Sequence, residues 1–268
     1  MNAGAMGMEA AETAREVGRH RWVEWLARAG YAASGLIHVV IGWIAAQVAL
    51  GGGGDADQSG ALGSLRSAPG GAVLLWVCVV GFVALALWQL VDAVAGADEL
   101  TDRVKDGAKA VVYAVLGVTA FSFARGGGSD GEQRTDDLTA MVMGMPFGRV
   151  LVAAVGVGVL AVGGYHVYKG VSEKFLEDLR TTGGGTSGRA VTWAGRIGYA
   201  AKGVALAVVG LLFVVAAWQA DPEEAGGMDA ALKALSDQPL GTALLLVVAV
   251  GLVLYGVYSF ARARYARM

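Results

Sequence analysis

Three prolines, Pro69, Pro146 and Pro239, head the same pattern of residues, and that recurrence limits the fold more than any other feature of the chain. Each belongs to a Pro-x-Gly element: Pro69-Gly70-Gly71, Pro146-Phe147-Gly148 and Pro239-Leu240-Gly241. Twelve residues after each proline stands a glycine (Gly81, Gly158, Gly251), and nineteen after stands an aromatic residue (Trp88, Tyr165, Tyr258). Upstream of each lies a second apolar run, marked by Tyr31, Tyr113 and Tyr199, with glycines four residues later at Gly35, Gly117 and Gly203. The first and third copies also share Trp-x-x-Arg-x-Gly-Tyr-Ala-Ala-x-Gly, at Trp25 to Gly35 and Trp193 to Gly203. A unit repeated three times dictates an architecture built from three like parts, and it names no substrate.

Over half of the 268 residues are hydrophobic (55%) and only 16% are charged, and the apolar residues fall in long runs rather than in short periodic stripes. Six runs, about 29–50, 71–95, 108–124, 147–171, 197–219 and 240–261, lack interior acidic residues over most of their length. A helix crosses the hydrocarbon core with roughly 20 apolar residues, so the chain is read as an all-α integral membrane protein with six transmembrane helices. A spanning barrel would show short alternating segments instead.

Sorting the charges by side orients the chain. Of 21 Lys and Arg residues, 15 lie in the N-terminal segment, the second and fourth connections and the C-terminal tail, counting those at the adjoining span ends. Five lie in the first, third and fifth connections, and Lys202 lies inside a span. Positive residues accumulate on the cytoplasmic side, which places both termini inside and the acidic connections outside. Cys78 is alone, so no disulfide framework or cysteine-based zinc site is available.

In chain order, residues 1–28 form a cytoplasmic or interfacial segment; from Glu9 to Arg28 arginines mix with Trp22 and Trp25, as in a helix lying against anionic lipid headgroups. Repeat one covers 29–96, repeat two 108–171 and repeat three 193–262, with a glycine-containing linker at 172–192 expected to be mobile and a basic tail at 263–268. Each outer connection offers a helix-capping side chain ten residues before the proline, at Ser59, Asp136 and Asp229, so a short amphipathic helix is expected there. The proline then ends that helix or occupies the first turn of the next span. The repeats are parallel and imply a pseudo-threefold axis along the membrane normal.

Tyr31, Gly35, His38 and Gly42 share one helix face, as do Tyr199, Gly203 and Gly210, with Tyr113 and Gly117 in the second copy. Small residues let helices approach closely in lipid, so these positions, together with the three prolines, are read as repeat packing. A polar layer is expected near the inner ends of the spans: Gln89 and His166 in one register, Asp92 three residues further on, His38, and Lys202. An intramembrane charge is usually paired or turned inward; Lys202, about two turns from the interface, either snorkels its ammonium into the headgroups or pairs with Asp92.

These residues resemble the bacterial membrane family known as domain of unknown function 1206, whose members look like three tandem two-helix units with Gly-Tyr-Ala-Ala and Pro-x-Gly elements. The resemblance covers roughly residues 25–265. Copy two departs from it, reading Val112-Tyr113-Ala114-Val115, which implies that its first helix packs differently. The resemblance implies a bacterial plasma membrane and no activity.

No phosphate-binding loop, no His-Glu-x-x-His and no nucleophile elbow occurs in the sequence. His20, His38 and His166 are scattered, and Met141, Met143 and Met145, though soft enough to bind Cu(I), read as amphipathic packing. No catalytic residue, cofactor or metal is therefore assigned, and no nucleic-acid partner. Two function classes remain: a non-catalytic membrane protein that binds, scaffolds or senses, and a transporter or channel with a pathway along the repeat axis. Mid-span positions are mostly Val, Leu, Ala and Gly, which favours the first.

Overall fold

A computed structural model describes residues 21–96, 100–128 and 131–267. Six long helices, each long and apolar enough to cross a membrane, alternate with short ones. The first unit is α1 (Arg21–Ala49), α2 (Gln58–Ser67) and α3 (Gly71–Val91), extended by a π-helical turn at Asp92–Gly96. The second is α4 (Leu100–Ala124), α5 (Gly131–Met143) and α6 (Gly148–Val171); the third is α7 (Gly185–Gln219), α8 (Met228–Ser236) and α9 (Gly241–Tyr265). Each copy is thus span, short helix, span, and the protein is a multi-pass membrane protein.

The Pro-x-Gly element recurs because of one turn. After each short helix the proline supplies the first central residue of a type II-like turn, and the next residue takes a left-handed conformation, with φ of 75° at Gly70, 63° at Phe147 and 66° at Leu240. The following glycine closes it, its N–H donating to the carbonyl three residues back at 2.9, 2.9 and 2.7 Å for Gly71, Gly148 and Gly241. A Cβ on any of these glycines would overlap the carbonyl oxygen of Leu65, Val142 or Ser236. The prolines therefore lie between helices, neither ending the short one nor opening the long one.

Long helices from different copies pack in a cyclic order, α3 with α4, α6 with α7 and α9 with α1. Gly35 lies against the backbone of Gly256, and Gly203 against that of Gly163, so close that a Cβ on either would collide. Gly117 faces Val83 more loosely, at 3.3 Å from a would-be Cβ, because Ala86 stands where the other copies carry Gly163 and Gly256. Within copies one and three the two long helices also pack, α1 on α3 and α7 on α9. In copy two α4 and α6 form no packed interface.

Val112 accounts for that opening. Gly30 seats Leu85 and the Gly81 backbone, and its counterpart Gly198 seats Tyr255. Val112 holds the matching place in copy two, where a branched side chain prevents such an approach. Val162, the counterpart of Leu85 and Tyr255, is 48% exposed, Val112 is 57% exposed, and Gly158 has open space beside it. The ring of six helices is therefore open on one side, as the departure of copy two from the repeat leads one to expect. α6 and α4 accordingly bury the smallest shares of their apolar centres, 17% and 28%.

The three short helices cap one end, tied copy to copy. Arg66 donates to the Gly127 carbonyl at 2.9 Å, Lys233 meets Glu132 at 3.5 Å, and Asp229 accepts from the Ala56 N–H at 2.7 Å. The capping assignments change. Asp57, not Ser59, caps α2, accepting from the Gly60 N–H at 2.7 Å; Asp136 lies inside α5; and Asp229 sits in the first turn of α8, its carboxylate shared between the Ala56 N–H and Lys233. Leu62, Leu65, Thr139 and Leu232 are buried beneath the cap and give each short helix its buried face, whereas Met141 and Met145 are exposed rather than packed.

At the other end the 172–192 segment is folded where a mobile linker was expected. Residues Lys174–Asp178 form a 3-10 turn, and α7 starts at Gly185. Phe175 is fully buried, stacking on Tyr199 at 5.6 Å, while Tyr258 donates its hydroxyl to the Phe175 carbonyl at 2.8 Å. The chain then pairs with the C-terminal strand of backbone, Arg180 N–H to Tyr265 and Arg267 N–H to Asp178. Of the expected interfacial segment, residues 9–20 lie outside the described residues, and 21–28 continue directly into α1.

Candidate functional site

Aromatic and charged side chains gather on the ring axis beside the Lys174–Asp178 turn. Asp178 is the anchor: one carboxylate oxygen, Oδ2, lies 2.7 Å from Lys169 Nζ, 3.7 Å from Arg262 Nη2 and 3.4 Å from the Tyr199 hydroxyl. All three partners come from different long helices, so the turn covers this end of the bundle by drawing in α6, α7 and α9. The cations are also held by rings, Arg262 over Tyr31 at 4.4 Å and Lys169 over Tyr199 at 5.3 Å. Of the tyrosines repeated in the three copies, Tyr31 and Tyr199 thus face this cluster, and Tyr113 stacks on Phe82 at 6.4 Å.

Deeper in the bundle lies a second layer around Tyr255. Lys202 Nζ stands 4.2 Å from the centre of its ring, the His38 ring 4.7 Å and the Tyr199 ring 5.2 Å. His166 joins through Tyr199, ring to ring at 5.6 Å. Both histidines use Nδ1 on their own helix, His38 to the Ser34 carbonyl at 2.7 Å and His166 to that of Val162 at 2.9 Å, which leaves each Nε2 pointing away from the backbone. Lys202 has no carboxylate within ion-pair distance among the described residues, although it is only partly exposed. Lys202 is held by an aromatic face, with the His38 ring against the same tyrosine, so an anion meeting its ammonium has no carboxylate to displace.

The expected polar layer is therefore split. His38, His166 and Lys202 come together, while Gln89 and Asp92 lie elsewhere. Asp92 is set among Trp88, Asp106 and Lys109, and Gln89 is buried at 5% exposure with Oε1 lacking a hydrogen-bond partner. Of the two readings of Lys202, the pair with Asp92 does not form, because α3 adjoins α1 and α4 whereas α7 adjoins α6 and α9. Tyr255 and Asp178 were not singled out by the sequence. Tyr255 reads as one more apolar-run aromatic, and an acidic residue in a basic connection gives no sign that the connection folds back under the helices.

No group of three or more His, Cys, Asp or Glu side chains among the described residues is arranged to hold a metal ion. Two surface cavities flank the bundle. One, of about 430 Å3 beside the cap, is lined by Gln47, Asp55, Ser59 and Phe123; the other, of about 360 Å3 at the opposite end, is lined by Thr182, Arg189, Thr192, Trp193 and Arg196. In the second, Arg196 is already engaged by Glu173 at 3.2 Å.

The sequence model of a family described as Domain of Unknown Function (DUF1206) matches this chain three times, at residues 29–96, 106–173 and 197–266, which are the three copies described above. The chain is similar to a Bacillus subtilis (strain 168) protein named "Uncharacterized protein YxxB", 30% identical over 255 residues covering 92% of each chain. No solved structure matches it.

Proposed function

Since the chain belongs to the Domain of Unknown Function (DUF1206) family, whose description carries no activity, we propose from the geometry that it is a non-catalytic binding or sensing protein of the bacterial plasma membrane. Its interior would be reached sideways from the bilayer. One observation carries this reading: the bundle is capped at one end, covered by Lys174–Asp178 at the other, and open between α4 and α6. A ring with covered ends and one open flank suits a ligand that arrives within the membrane better than a solute that crosses it. The 15 to 5 division of basic residues supports an orientation with the termini and the Asp178 cluster at the cytoplasmic face.

Single cysteines introduced at Val112, Gly158 and Ser34 in a Cys78→Ala background test it. Positions 112 and 158 should react with a lipid-soluble maleimide in sealed vesicles and resist an impermeant one from either side. Ser34 holds in copy one the place of Lys202 in copy three. Rapid reaction of Ser34→Cys with the impermeant reagent would mean an aqueous path along the axis and would replace this reading with transport.

A further inference from the structure

Lys202, His38 and His166 gather around Tyr255 and Tyr199 inside a ring that is open between α4 and α6, and this grouping bears on the ligand class. Val112 and Val162 frame the opening, and His166 follows Val162 by one helical turn, on the side of the covered end. His166 is half-buried: its ring touches Tyr199 on the axis side, while its neighbours Tyr165 and Val162 are exposed on the flank. From His166 the contacts run through the Tyr199 ring at 5.6 Å to Tyr255 at 5.2 Å, over which Lys202 Nζ stands at 4.2 Å. In the other direction, towards the middle of the membrane, the flank is apolar and roomy, with Val155 half-exposed and Gly158 facing open space.

Depth fits an amphiphile. Lys202 is 17 residues from the end of α7 at Gln219, about 26 Å along the helix at ~1.5 Å per residue, against a hydrocarbon core of about 30 Å. Its ammonium is therefore near the headgroup boundary of one leaflet, and a chain hanging from that level runs down the α4–α6 opening past Val162, Gly158 and Val155. Copies one and three have no such seat. There Leu85 and Tyr255 fill it, and the place of Lys202 is held by Ser34 in copy one and by Leu116 in copy two. The site is thus a single one, made by the loss of one helix crossing and the gain of one cation.

Resting on the lateral-access reading above, we propose that this flank binds an anionic lipid of the adjoining leaflet, its ionised headgroup against Lys202 and His166 and one acyl chain in the opening between α4 and α6. The cation has no carboxylate to release, so charge complementarity selects an anion over a zwitterion. Lys169 and Arg262 do not compete, because Asp178 holds both.

The test is thermal unfolding of the full chain, purified in a neutral detergent, with added phosphatidylglycerol, phosphatidylcholine of the same chains, or glycerol phosphate. Phosphatidylglycerol should raise the Tm of the native chain by about 5 °C near saturation, with little effect from the other two. Lys202→Met should remove that shift and Lys202→Arg should keep it. Gly158→Phe fills the chain seat at a position with open space around it, so it should fold normally and also lose the shift. A full shift in Gly158→Phe overturns the proposal even if Lys202→Met fails to fold. Equal shifts from both lipids, lost in Gly158→Phe, would overturn the choice of an anion while leaving lateral access standing. No shift from either lipid would overturn this proposal, and the cysteine labelling above would judge lateral access separately.

Discussion

Asp57 shows how one carboxylate at the capped end links the copies to pH. It caps α2 yet is only 7% exposed, and burial, followed by the charges of Asp229 and Asp55, pushes its pKa up from 3.8 to about 6 against the opposing hydrogen bonds from Gly60 and Ser59. A carboxyl with a raised pKa in the folded state holds its proton more tightly when folded. Its contribution favours folding fully below about pH 4 and is lost as pH rises through about 6. Asp57→Asn keeps an acceptor for the Gly60 N–H and removes the charge. It should exceed the native chain in stability by about 2 kcal/mol at pH 7, and the difference should vanish by pH 4 in thermal unfolding.

At the scale of the elements, the helix crossings decide which spans meet. Gly30 and Gly158 bear the comparison out, because one sits at a closed crossing and the other at the open one. A Cβ at Gly30 would overlap the Gly81 carbonyl and the Leu85 side chain, whereas Gly158 has nothing within 4 Å. Gly30→Val should therefore cost about 3 kcal/mol or more and drive α1 from α3, while Gly158→Val should shift stability by less than about 0.5 kcal/mol. Chemical unfolding in detergent compares them directly, and equal losses would mean that copy two is closed like the others. The Asp178 turn works at the same scale: it holds α6, α7 and α9 together through one carboxylate, and removing that carboxylate would leave Lys169 and Arg262 without their acid.

For the whole molecule, the orientation of the chain makes the remaining prediction. Gly53, Leu138 and Gln238 are exposed at the capped end, and Ser187 is exposed at the opposite end. Single cysteines at the first three should be labelled by an impermeant thiol reagent added outside intact cells, and Ser187→Cys only after lysis. The reverse pattern would invert the topology. The buried Ser59 and Asp229 make poor probes of the same question, since one lies under the cap and the other is bonded to Ala56.

Length and composition determined the six spans, the three parallel copies and the short helices between them, because hydropathy and helical period are written locally along the chain. Register between copies goes further: Val112-Tyr113-Ala114-Val115, standing where the other copies carry Gly-Tyr-Ala-Ala, marks the helix that packs differently, and the structure supplies the reason, the close crossings at Gly30 and Gly198. What tertiary structure alone decided is adjacency. α7 packs on α6 of the preceding copy and on α9 of its own, and not on α3, so Lys202 meets Tyr255 and not Asp92, though both charges lie near the same end of their spans. Likewise the 172–192 segment reads as a glycine-containing linker, and only the convergence of Lys169, Arg262 and Tyr199 on Asp178 turns it into a cover. Such pairings join residues tens of positions apart through the angle and order of helices. Those are set by how closely backbones can approach, a property of two surfaces together and of neither sequence segment by itself.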